Sequence, residues 1–128
     1  MDKRVSTIFF FLLLVGLYGC QSELAKIDEK LQSNQDKILQ ILEDNVSDSK
    51  NALKALAKLE EDTRNERSKL REAYNKEKAA LGEEARTLLN TESLERWNVF
   101  SSKLGTLVKR YEKEAQLGLK KKIGQIAR

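Results

Sequence analysis

The sequence predicts an all-α fold: an elongated helical hairpin or coiled-coil-like bundle of about three helices behind a cleaved N-terminal signal peptide. Three observations lead there. The 128 residues include no proline and 34% of them are charged, against about 5% proline and about 25% charge in an ordinary globular chain. The apolar residues beyond position 22 recur every three or four positions, the period of a helix buried along one side. Ahead of them, Lys3 and Arg4 precede a fifteen-residue uncharged run, Val5 to Gly19. That run is shorter than the roughly 20 residues a membrane-spanning helix needs, and it suits the core of a signal peptide. The turn clusters and β-branched alternation of sheet proteins are missing.

The uncharged run ends in Leu17-Tyr18-Gly19-Cys20 and turns polar at Gln21, Ser22 and Glu23. From the residues alone this is a signal peptide or an uncleaved anchor. The tetrapeptide resembles the lipobox of bacterial lipoproteins, in which a leucine and a small residue precede the cysteine. The resemblance implies a signal peptide over 1–19, cleavage between Gly19 and Cys20, and a diacylglyceryl thioether on Cys20. A palmitate-like third chain would sit on the new amino terminus. Two acyl chains suffice for stable anchoring, since each buried methylene contributes about 0.8 kcal/mol. Cys20 is the single cysteine of the chain, so an internal disulfide is impossible and acylation would consume the thiol. By the sorting rule of the family, Gln21 in place of aspartate implies an outer-membrane anchor facing the periplasm.

The mature part, 20–128, reads as one helical domain with helices at about 23–45, 49–89 and 92–126. In the first, Leu24, Ile27, Leu31, Ile38 and Ile41 form a seam with Asn34 in its vacant position. A polar seam residue either fixes register or is merely tolerated. Asn45-Val46-Ser47-Asp48-Ser49 favours caps over helix interior, so a turn is expected there, with a continuous helix as the alternative. In the second helix Leu53, Leu56, Leu59, Leu70, Tyr74, Leu81, Ala85 and Leu88 supply the stripe. The intervening stretch 60–69 has nothing large and apolar to bury, and reads as a solvated face or a partner-binding one. Asn90-Thr91-Glu92-Ser93 offers a second cap. The third helix carries Leu94, Trp97, Phe100, Leu104, Leu107, Val108, Tyr111, Ala115, Leu119, Ile123 and Ile126, with fraying expected beyond Gly118. A short connection makes the second and third helices antiparallel neighbours. Trp97, Phe100 and Tyr111 should then face Leu88, Leu81 and Tyr74.

Charge is sorted along the chain. Residues 21–99 carry 14 basic and 17 acidic groups, whereas residues 100–128 carry 8 basic and 2 acidic ones. Lys109, Arg110, Lys113, Lys120, Lys121 and Lys122 form a candidate basic interaction patch. It either complements the negative end of the helix dipole or meets an anionic lipid surface or an acidic cell-wall polymer. Export argues against nucleic acid as the partner.

Catalytic constellations are hard to assemble from these residues. Histidine is absent, so no serine has an imidazole base, zinc spacing is impossible, and no glycine-rich phosphate loop follows a strand. The sequence therefore reads as a non-enzyme without cofactor or metal. The expected role is that of a membrane-anchored envelope lipoprotein acting as a structural or protein-interaction element, a tether or adaptor, partnered by an envelope protein or by itself. The alternatives are an accessory lipoprotein of a secretion, efflux or pilus machine, and a membrane-active lysis or exclusion lipoprotein. Ala25-Lys26-Ile27-Asp28-Glu29-Lys30-Leu31 also faintly resembles murein lipoprotein, a family whose trimer is joined to peptidoglycan by a C-terminal lysine. Arg128 stands at that place here, so the resemblance does not carry the covalent link.

Overall fold

A computed structural model describes residues 19–127, with side chains from Glu23 onward. The signal peptide expected over 1–19, apart from the backbone of Gly19, and the acylation expected on the side chain of Cys20 lie outside what it describes. Four helices follow one another: α1 (Gly19–Asp44), α2 (Ser49–Ala79), α3 (Glu83–Val108) and α4 (Lys113–Ala127). The fold is thus all-α, as the absence of proline and the helical period require, with four helices in place of about three.

The first turn falls where polar residues predict it. The Asp48 carboxylate accepts from the Asn51 backbone N–H at 3.0 Å and caps α2. Asn45 donates from Nδ2 to the Ile41 carbonyl at 2.7 Å, satisfying one of the open carbonyls at the end of α1. Its Oδ1 accepts from Asn51 Nδ2 at 2.6 Å, tying the two helix ends together.

The second expected break, Asn90–Ser93, lies inside α3 instead. The Thr91 hydroxyl bonds the Thr87 carbonyl one turn back at 3.0 Å, and Thr87 does the same to Glu83 at 2.9 Å. These hydroxyls serve the helix rather than cap it. The chain turns earlier, at Ala80–Gly82. Gly82 is in extended backbone ahead of α3, and Glu83 and Glu84 then occupy the positive end of the helix dipole. Glycine is the weakest ordinary helix former, by roughly 1 kcal/mol against alanine.

A third turn divides the expected 92–126 helix at 109–112. No glycine or proline enforces it. Tyr111 is drawn out of helical register: it is buried, and its hydroxyl donates to the Leu42 carbonyl at 2.6 Å. The side chain of Gln116 then caps the Tyr111 carbonyl at 3.0 Å.

Helices α1 and α2 pack as an antiparallel pair, and α4 covers them, lying along α2. Helix α3 runs alongside α1, which the Asp28–Arg96 pair at one level and the groove shared by Leu39 and Leu107 at another both require. The expected hairpin core between the helices flanking the second turn is not found. Consecutive helices α2 and α3 pack on α1 and α4 rather than on each other. Trp97 is 41% exposed, and Leu88 and Leu94 are more open still, at 61% and 60%. The core is formed instead by Ile38, Leu42, Ala52, Leu56, Phe100, Val108, Leu119, Ile123 and Ile126. With 15 residues, α4 is little more than half the length of α3. It therefore closes one half of the bundle as a fourth helix, and the described residues supply three helices to the other half. Fraying beyond Gly118 is not seen: Leu119, Ile123 and Ile126 are among the most deeply buried side chains.

Candidate functional site

The feature that stands out is made by the end of α4. Where that helix stops, an open cleft of about 450 Å³ lies between α1, α2 and α3, with Ile126 and Ala127 at its upper edge. Its walls mix two chemistries. Leu31, Leu94 and Trp97 are apolar; Arg67, Arg71, Lys78 and Arg96 are cationic; Asp28 is the one acidic group among the described lining residues. Trp97 rests on Phe100 one turn along, with ring centroids 5.6 Å apart.

Arg67 fixes the upper edge. It stands in the stretch 60–69, read from sequence as a solvated or partner-binding face, yet it is only 6% exposed, and Thr63 is buried with it. Its Nη1 donates to the carbonyls of Gln125 and Ile126, each at 3.1 Å. Its Nε donates to the Thr63 hydroxyl at 2.9 Å and its Nη2 to the Glu60 carbonyl at 3.3 Å. The Thr63 hydroxyl in turn donates to the Leu59 carbonyl at 2.6 Å. The guanidinium thus satisfies carbonyls in the last turn of α4, at the negative end of that helix dipole. Burial pushes the Arg67 pKa below the usual arginine range, and the like charges of Arg71 and Arg64 act in the same direction against Glu60.

Around it the ionic contacts are local. Arg64 grips Glu60 through both carboxylate oxygens at 2.8 and 2.9 Å, and this hydrogen bonding holds the Glu60 carboxyl below its ordinary pKa. Arg96 reaches across to Asp28 at 2.7 Å, bridging α3 to α1. Below them the Tyr74 and Ser93 hydroxyls meet at 3.2 Å, linking α2 to α3 across the cleft. Asn34, the polar residue of the α1 seam, is buried and borders the same space.

The basic patch expected from the sequence is not one surface. Lys109 and Arg110 are exposed in the α3–α4 turn, and Lys113 opens α4 beside them. Lys120 shares the face of Lys113 two turns later, and Lys121 is exposed next to it. Lys122 is half-buried and turns toward α2, where its charge helps lower the pKa of Glu60. The turn cluster lies by the C-terminus of α1, whose residue 44 is about 36 Å along the helix axis from residue 20. Cys20 itself is placed only by its backbone, in the first turn of α1.

The cleft was not visible in the sequence. Arg67, Arg71 and Tyr74 carry the spacing of one helix face, four and three residues apart, but nothing in that spacing shows that α4 ends against them. Among the described residues no helix is long and apolar enough to cross a membrane. Comparison with known proteins finds no family model, no curated protein and no solved structure that matches this chain.

Proposed function

We propose that this chain is a lipid-anchored lipoprotein of a bacterial envelope, held by acyl chains on Cys20, whose coiled-coil-like helical body acts as a tether or adaptor rather than as an enzyme. The observation that carries the reading is the order of Lys3 and Arg4, the apolar run and the single cysteine at its end. On this reading the three-helix half of the bundle, with Leu88, Leu94 and Trp97 exposed, lies toward the anchored end. The basic turn at Lys109, Arg110 and Lys113 is presented away from it, toward an acidic partner or polymer. The outer membrane, periplasmic side, is the location that Gln21 favours.

Metabolic labelling with a palmitate analogue tests the anchor. The wild-type chain should be tagged and found in the membrane fraction, and Cys20→Ser should be neither. Equal labelling of the two chains would overturn the reading.

A further inference from the structure

We propose that the cleft below α4 binds an anionic amphiphile, with its phosphate or carboxylate between Arg71 and Lys78 and its apolar part against Leu94 and Trp97. The cations come first in the argument. Of the four that line the cleft, Arg96 is committed to Asp28 and Arg67 to the backbone of α4. Arg71 and Lys78 have no carboxylate within 4.0 Å among the described residues. Arg67 and Arg71 stand one turn apart on the same helix, an arrangement of like charges that is unfavourable by itself. An anion placed against Arg71 would relieve it, and a guanidinium grips phosphate and carboxylate alike through paired N–H donors.

The apolar wall decides what carries the anion. Leu94 is 60% exposed and Trp97 41% exposed in a helix that is closely packed one turn on, at Phe100, and again at its end, at Val108. Inorganic phosphate would leave this wall wet. A purely apolar ligand would strip water from Arg71 and Lys78 without replacing it. A molecule with an acidic head and an apolar body satisfies both walls, and the Tyr74–Ser93 pair gives the cleft a hydrogen-bonding floor between them.

Trp97 is the only tryptophan of the chain, so its fluorescence reports on the cleft directly. The full-length chain in non-ionic detergent micelles is titrated with short-chain phosphatidylglycerol, with the matching phosphatidylcholine, with inorganic phosphate, and with an acidic peptide. The anionic lipid should give a saturable blue shift, at least about tenfold tighter than any of the other three. Arg71→Gln should weaken it about tenfold, and Lys78→Gln by a smaller factor, with unchanged far-UV circular dichroism. An equal response to phosphatidylcholine, to phosphate or to the peptide would overturn the proposal, and so would undiminished affinity in both variants. Cys20→Ser titrated alongside should behave as wild type, which keeps this result separate from the outcome of the labelling experiment.

Discussion

Around Leu42, Leu56 and Leu119 four helices meet and these side chains lose all contact with solvent; around Leu94 and Trp97 the described residues supply three helices and the same kinds of side chain remain exposed. Helices α1, α2 and α3 run through both halves. What differs is α4, which occupies the fourth position from Lys113 to Ala127 and then stops. The comparison teaches that an apolar residue at the right helical spacing is only a candidate for the core. Burial also requires an element opposite it, and in the open half the described residues supply none.

The largest expected effect sets the two halves against each other directly. Leu56→Ala removes a fully buried side chain from the four-helix half and should cost about 2–5 kcal/mol. Leu94→Ala and Trp97→Ala, in the open half, should each cost at most about 1 kcal/mol, as exposed substitutions do. Urea denaturation of the three variants measures the contrast. Equal losses would mean that the open half is packed as tightly as the closed one.

A smaller effect is expected at the boundary between them. Arg67→Met removes the donors that Gln125 and Ile126 carbonyls rely on while leaving those carbonyls in place. Unpaired buried acceptors cost about 1–3 kcal/mol. The loss should be concentrated in α4, so amide hydrogen exchange should quicken around Leu119–Ile126 before it changes in α1. Arg67→Lys should not restore protection, because one ammonium cannot span the carbonyls of both helices. Uniform exchange across all helices would show that Arg67 does not set the limit of the closed half.

The smallest effect sharpens the far end. Tyr111→Phe deletes the hydrogen bond to the Leu42 carbonyl and should cost about 0.5–1.5 kcal/mol at neutral pH. Burial raises the Tyr111 pKa, with the charge of Asp44 adding to it. A phenol that holds its proton more tightly when folded contributes stability that is complete below the unfolded pKa, about 10. That contribution is lost as pH rises through the folded value. The difference between wild type and Tyr111→Phe should therefore be constant from pH 6 to 9 and shrink above about pH 10. A difference that persists unchanged at high pH would show that the hydroxyl does not carry the anchoring of this turn.

Much of this molecule is determined locally. The helical class follows from a chain without proline and with a three–four apolar period. Of the seam Leu24, Ile27, Leu31, Asn34, Ile38 and Ile41, four residues are buried on α1 and Leu31 and Ile41 are half-buried, because a packed helix buries one stripe. The turn after α1 follows from Asn45 and Asp48, whose side chains bond the backbone within a few residues and need no distant partner. Gly82 is the same kind of signal, weaker because glycine only lowers the cost of leaving the helix. The rest depends on what lies across from each residue. Tyr111 breaks the last helix because a carbonyl 69 positions earlier waits for its hydroxyl, and no local pattern records that. Arg67 is buried because the end of α4 lies against it and supplies carbonyls; on an isolated helix the same side chain would sit in water. Trp97 has the spacing of a core residue and is left half in solvent because α4 ends above it. Spacing fixes which residues share a face, whereas the cleft, with Arg71 and Lys78 beside an apolar wall, exists only once the lengths and crossings of four helices decide which faces are covered.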